Sequence, residues 1–212
     1  WAQGVRRALG MQLHVQGQPR PGAKLLVANH ISWLDIMAID AMLPARFVSK
    51  AEVGQWPLLG RLVTAGGTLY LQRERRRDAK RVLTLMSGAL GHGDTLAVFP
   101  EGTTGDGRQL LPFHGNLLQA AIDAHVPVQP VAVRYADARH AVSPSAAYIG
   151  DTNLLQSLWW IACAEGMTVQ VSVLTAMETA HAERRALAHN VRECIEQELE
   201  RIDARFAPSR GL

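Results

Sequence analysis

The chain has 212 residues, 48% apolar and 19% charged, with a formal net charge of +3 and a pI near 9.2. That length and apolar content support a buried core and exclude a disordered chain, while the positive balance favours an anionic partner such as a phosphorylated small molecule, an acidic membrane surface or nucleic acid. Two cysteines, Cys163 and Cys194, without CxxC spacing exclude a disulfide framework and a cysteine zinc site, and fit a reducing cytosolic setting.

Because the chain opens at Trp1 without a methionine, upstream residues are expected to have been removed, with a signal or membrane anchor as a candidate among them. Along the chain, short leucine-rich or β-branched runs alternate with longer amphipathic segments, the pattern of an α/β domain. A strand is predicted at Lys24–Ala28. It leads into NHISWLD and a helix from Ser32 to Met42. Further strands are predicted at Arg46–Ser49 and Thr68–Leu71, separated by a segment containing GQWPLLG. The cationic run RERRRDAKR follows and opens a helix from Asp78 to Leu90, with Val82, Leu83, Leu85, Met86 and Ala89 on its buried side. A strand at Thr95–Phe99 runs into the glycine-rich FPEGTTGDG. A helix at Gly115–Ala124 and a strand at Val128–Arg134 come next. The apolar stretch Leu154 to Ala164 is broken by Gln156 and Ser157 and falls short of the roughly 18–20 residues of a membrane-spanning helix. A strand at Val169–Leu174 and a scaffold helix from about Ala182 to Arg205, with Leu187, Val191, Ile195, Leu199 and Ile202 on one stripe, complete the chain.

Three polar motifs fall at carboxyl ends of predicted strands: Asn29-His30, Arg73, and Pro100-Glu101-Gly102. In open, mostly parallel sheets, loops and helix N-termini converge beyond those ends, so the three motifs are expected to share one mouth. His30 and Asp35 are too far apart around a continuous helix to meet, so a contact requires His30 to lie before the helix. Ser32-Trp33-Leu34-Asp35 fits a capping box with Ser32 as N-cap, and Asp35 reads equally as part of that cap and as the acceptor for an imidazole N–H. Arg73 follows its strand immediately, where a guanidinium can reach a phosphate, whereas the rest of the run reads as a solvated face. The loop after Phe99 lacks the GK[ST] of a P-loop and the GxGxxG of a dinucleotide site.

Taken together, these boxes resemble the glycerolipid acyltransferase family, which carries an HxxxxD motif. His30 to Asp35 is similar to the first box, GTLYLQR (Gly67 to Arg73) to the second, FPEGT (Phe99 to Thr103) to the third and VPVQPV (Val126 to Val131) to the fourth, in the family's order across about residues 24 to 135. Thr104 and Gly105 stand where many members continue with Arg-Ser. The resemblance implies one α/β domain over residues 1 to 212, with a mixed, mostly parallel sheet flanked by helices. It also implies acyl transfer from acyl-CoA or acyl carrier protein to the hydroxyl of a lysophospholipid, 1-acyl-glycerol-3-phosphate above all, with lyso-ornithine lipid as an alternative. In that reading His30 is the base and Asp35 its orienting partner, and Arg73, Glu101, Gly102 and Thr103, with Lys50 as a further candidate, bind the acceptor's phosphate region. No metal or cofactor is expected, and no nucleic acid partner. The expected location is the cytoplasmic face of a membrane, with Trp56, Trp159-Trp160 and the arginines offering an interfacial surface. The rival classes are a non-catalytic lipid-binding module and an acyl-thioester hydrolase, and the absence of GxSxG argues against common serine hydrolases.

Overall fold

A computed structural model of the chain describes residues 9–50, 67–71 and 76–206, together with Gly4, Gly54, Gly60 and Thr64. Its elements, in chain order, are β1 (Gln12–Gln16), β2 (Lys24–Ala28), α1 (Leu34–Met42), β3 (Arg46–Lys50), β4 (Leu69–Leu71), α2 (Arg76–Gly91), β5 (Thr95–Val98), a 3-10 turn (Gly115–Leu118) running into α3 (Gln119–Asp123), β6 (Val128–Ala136), α4 (Leu154–Cys163), β7 (Thr168–Val173) and α5 (Arg184–Phe206). They build one seven-stranded sheet in the order β1-β7-β6-β2-β5-β3-β4. The neighbours from β6 to β4 pair in parallel, while β7 runs antiparallel to β6 and carries β1 alongside it.

Side-chain alternation on the central strands explains the layering. Leu25 and Val27 of β2 point to one face and Leu26 and Ala28 to the other, so both faces are covered and the strand reads as an unbroken apolar run. The face that takes Leu26 packs against α1 and α4, and the other against α2, α3 and α5. Pro130 lies just outside the β7 register, which starts at Val131; its carbonyl accepts the Leu174 N–H at 3.0 Å, and its missing N–H is tolerated because the Leu174 carbonyl accepts from Gln129 Nε2 at 3.0 Å instead. In α2, Val82, Met86 and Leu90 are buried, but Leu85 is 46% exposed, contrary to the sequence expectation. It lies about 100° round the helix from the centre of that stripe.

Two elements were not anticipated. β1 is an edge strand with an almost wholly exposed pattern, and the alternation in QLHVQ is only five residues long, with Val15 itself 46% exposed. α4 is a regular helix opened by a reciprocal capping box in which Asn153 accepts from the Gln156 N–H and Gln156 accepts from the Asn153 N–H.

β2 is lengthened beyond its last ladder pair by a side chain. Asn29, 1% exposed, donates from Nδ2 to the Val133 carbonyl at 2.9 Å and accepts the Val133 N–H at 2.8 Å, bridging to β6 as a further backbone pair would. Replacing Asn29 with Ala strands both Val133 groups, and urea unfolding of Asn29→Ala is expected to show a loss of about 2–4 kcal/mol.

Candidate active site

The carboxyl ends of β2 and β5 lie side by side, since the two strands pair in parallel from Lys24–Thr95 to Val27–Val98. His30 therefore leaves the sheet next to Phe99 and Glu101. Between β2 and α1 the chain makes a tight turn over Asn29 to Trp33, and Asp35, in the first turn of α1, is 0% exposed. A buried carboxylate has to be matched by donors, and three converge on one oxygen. Asp35 Oδ2 accepts from the Ile31 N–H at 2.7 Å and the Ser32 N–H at 2.9 Å, and lies 2.8 Å from His30 Nδ1.

The expected Ser32 cap is not formed. α1 begins after Trp33 without a side-chain cap, and the Ser32 hydroxyl is buried without a hydrogen-bond partner. Only the reverse half of the box exists, in which Asp35 reaches back to the Ser32 N–H. Because that same oxygen also meets the imidazole, the two readings of Asp35 are one arrangement.

An oxygen that already accepts two N–H groups acts as an acceptor, so His30 Nδ1 donates to it, and in the neutral ring this tautomer leaves the lone pair on Nε2. The ring, 19% exposed, stacks on Phe99 with centroids 4.0 Å apart and planes 12° from parallel, and Phe99 in turn stands 6.1 Å from Phe47. The imidazole is thus held at Nδ1 by a charge and over one face by an aromatic ring. Behind Asp35, Tyr135 is fully buried on β6; burial first, and then the Asp35 charge beside it, push its phenol well above the ordinary tyrosine range.

The FPEGT loop clasps this turn. Glu101, 5% exposed, accepts the His30 N–H on Oε1 at 2.7 Å and the Leu111 N–H on Oε2 at 3.0 Å. Both its oxygens are thus occupied by backbone, and no cationic partner is needed to hold it. Gly105 donates its N–H to the His30 carbonyl at 2.8 Å, and the Thr104 hydroxyl bonds the Tyr148 carbonyl, while the Tyr148 N–H donates to the Ile31 carbonyl at 3.0 Å. Gly102 takes φ +73°, a left-handed conformation that suits glycine, and Thr103 beside it is exposed. Arg134, 2% exposed, ties the loop's far end by donating to the Gly107 carbonyl and bonding Asp203 of α5 at 2.8 Å.

The structure therefore brings together His30, Asp35, Glu101, Gly102 and Thr103. Arg73 and Trp56 lie outside the described residues, and Lys50 is described only through its backbone, which closes β3 opposite Leu71. Sequence reasoning missed the supporting roles of Phe99 and Tyr135. Phe99 sits inside a quoted motif, but nothing in its spacing signals a stacked imidazole, and Tyr135 ends an apolar strand like any core aromatic. Among the described residues, no cluster of three or more His, Cys, Asp or Glu side chains is arranged to hold a metal ion.

The sequence profile of the Acyltransferase family matches residues 12–134, more than half of the chain, including His30, Asp35, Phe99 and the Glu101 loop. The chain belongs to that family. It is 37% identical over 198 residues to a 1-acyl-sn-glycerol-3-phosphate acyltransferase of Neisseria meningitidis serogroup B, covering 91% of this chain and 76% of the relative. It is 36% identical over 196 residues to a lyso-ornithine lipid O-acyltransferase of Pseudomonas aeruginosa, covering 92% and 75%. The crystal structure of the 1-acyl-sn-glycerophosphate acyltransferase PlsC from Thermotoga maritima superposes with a TM-score of 0.72 at 23% identity, over 96% of this chain and 77% of that one, and so shares the fold. The acyltransferase thus carries a histidine–carboxylate pair at the carboxyl end of its central strand, clasped by an acidic, glycine-rich loop.

Burial raises the Glu101 carboxyl from 4.5 to about 7, against the opposing pull of the His30 and Leu111 N–H groups. A carboxyl whose folded value lies above its unfolded one binds its proton more tightly in the native state, so its contribution is fully present below the unfolded value and is lost as pH rises through the folded one. The urea midpoint of the acyltransferase is expected to fall between about pH 4.5 and about pH 7 from this group, and Glu101→Gln is expected to remove that component of the slope.

Proposed function

We propose that this acyltransferase moves a fatty acyl group from an acyl thioester, on coenzyme A or acyl carrier protein, to the free hydroxyl of a lysophospholipid, with 1-acyl-glycerol-3-phosphate as acceptor and phosphatidic acid as product. The observation that carries the reading is the His30–Asp35 contact, with Nδ1 held at 2.8 Å and Nε2 left free on the partly exposed ring. The Neisseria relative, 37% identical over 91% of this chain, supports the choice of acceptor.

An alcohol is a weak nucleophile at neutral pH, and a base positioned on its proton lowers the barrier. In the proposed step the acceptor hydroxyl gives its proton to His30 Nε2 as its oxygen attacks the thioester carbon. Asp35 stabilises the imidazolium that forms and keeps the ring in the productive tautomer. The tetrahedral intermediate then collapses, the carbon–sulfur bond breaks, and the thiolate takes the proton back from Nε2. The Phe99 stack fixes the ring plane, and the Glu101 clasp fixes the backbone from which the imidazole hangs. Gly102 and Thr103, on the outer part of the loop, and Arg73 and Lys50 are the proposed contacts for the acceptor's phosphate. The site works at the cytoplasmic face of a membrane, where both substrates are supplied.

A second acceptor, lyso-ornithine lipid, is favoured by a separate observation. The Pseudomonas relative matches nearly as well, and the hydroxyl of Thr104, where many members carry arginine, is engaged with the Tyr148 carbonyl. An acceptor panel read by mass spectrometry of the product decides between them.

His30→Ala is expected to lower turnover by about 10²- to 10⁴-fold while remaining folded, with a loss of about 1–3 kcal/mol in the melt from the donor removed from buried Asp35, and thiol release in the parent enzyme is expected only when acceptor is present. Release without acceptor points to a hydrolase, and none with a full lysolipid panel to a non-catalytic module. Asp35→Asn replaces a charged acceptor by a neutral one and is expected to cost about 1–2 kcal/mol of stability together with most of the turnover. A variant that loses only stability and keeps its rate assigns Asp35 to the turn alone.

A further inference from the structure

Among the described residues six large apolar side chains stand exposed, and four of them, Ile149, Leu155, Trp159 and Trp160, fall within one short stretch of chain on and just before α4. Leu155 is 78% exposed and Trp159 69%. They are four positions apart, so both lie on one side of the helix. The other side is anchored: Ser157 and Ile161 are fully buried, and Ser157 Oγ accepts the Trp33 indole N–H at 3.0 Å. α4, LLQSLWWIAC, contains no charged residue.

The position of this surface relates it to the reacting groups. The excursion carrying α4 leaves the sheet at Ala136 and rejoins it at Thr168, and those two residues are register partners, so it emerges from the same end of the sheet as His30 and Glu101. Tyr148, one residue before Ile149, bonds the Ile31 carbonyl on one loop of the site and Thr104 on the other. Trp33, which holds Ser157, belongs to the turn that Asp35 organises.

We propose that α4 with Ile149 is a membrane-docking surface, in which Leu155, Trp159 and Trp160 enter the interfacial layer of a bilayer and set the mouth of the site against it. This deepens the lysolipid reading and rests on it, because an amphiphilic acceptor and the acyl chain of its product partition into a bilayer that such a surface would touch. Indole rings, apolar with a polar edge, suit the headgroup boundary, and a helix lying in that plane buries one apolar face. A ten-residue uncharged helix is small for a stable protein partner, which takes roughly 800 Å² per side with a polar rim. The excursion holds Asp137, Asp151 and Glu165 against Arg139, so its attachment comes from apolar insertion and not from attraction to anionic lipid.

The test is co-sedimentation of the acyltransferase with neutral phosphatidylcholine vesicles, at low salt and at about 1 M salt, where the screening length is about 3 Å. Binding is expected at both, and Leu155→Glu with Trp159→Glu is expected to weaken it more than about tenfold. The milder pair Leu155→Ser with Trp159→Ser should act in the same direction. Circular dichroism, the thermal melt and thiol release with a short-chain, monomeric lysolipid are expected to stay at parent values. Undiminished vesicle binding by both variants overturns the proposal, as does binding that high salt abolishes, or a dimer of the parent that the substitutions dissolve. The two readings fail separately: α4-dependent binding by a protein that turns over no lysolipid upholds the docking surface and removes the acceptor assignment.

Discussion

The structure of the site depends on one oxygen. Asp35 Oδ2 takes the Ile31 and Ser32 N–H groups and meets His30 Nδ1, all within 2.9 Å, in a place with no solvent exposure. A carboxylate buried there without donors would be strongly unfavourable, so the turn that carries His30 and the charge that orients it stabilise each other. Local folding and the proposed chemistry therefore draw on the same bonds. The Ser32 hydroxyl is buried without a hydrogen-bond partner, and the Tyr135 phenol lies against the Asp35 carboxylate that helps to raise it, so buried polar groups gather at this one point.

Around that oxygen the fold supplies rigidity through backbone bonds between loops distant in sequence. Glu101 joins the His30 turn to Leu111, Gly105 joins it again at the His30 carbonyl, and Tyr148 bridges Ile31 and Thr104. Each loop satisfies the polar groups of its neighbour, which lets three connections lie close together without burying unmatched backbone. Arg134 and Asp203 extend the clasp to α5, so the helix that reads as scaffold also restrains the glycine loop. The burial that makes this precise also raises the Glu101 carboxyl, and the loop therefore changes charge near neutral pH.

Much of the fold could be read because the central strands are buried on both faces and their apolar runs are unmistakable. β2, β3, β5 and β6 were expected where they occur, within a few residues at their ends. β1 was not, since QLHVQ is a polar edge strand formed by pairing with a partner far away in sequence. α4 carried a readable start in Asn153 and Gln156, but its apolar content drew the reading toward length and not toward periodicity. The misplaced Ser32 cap shows the limit of local patterns, since the spacing fits a capping box but the helix starts one residue later, after Trp33, and leaves the buried serine hydroxyl without a partner.

The sequence by itself determined the residue types and their order: a histidine five positions before a carboxylate, an acidic glycine loop after a second strand, and strands long and apolar enough to form a mostly parallel sheet. Only the tertiary structure decided that Phe99 stacks on the imidazole, that Glu101 spends both oxygens on backbone N–H groups, and that α4 faces outward beside the site. The physical reason is separation along the chain. Periodicity and caps act over a few residues, as does the His30–Asp35 contact, whereas the Phe99 stack, the Glu101 clasp and the Trp33–Ser157 bond that seats α4 join segments tens of residues apart, whose meeting is fixed by strand order and burial and not by local pattern.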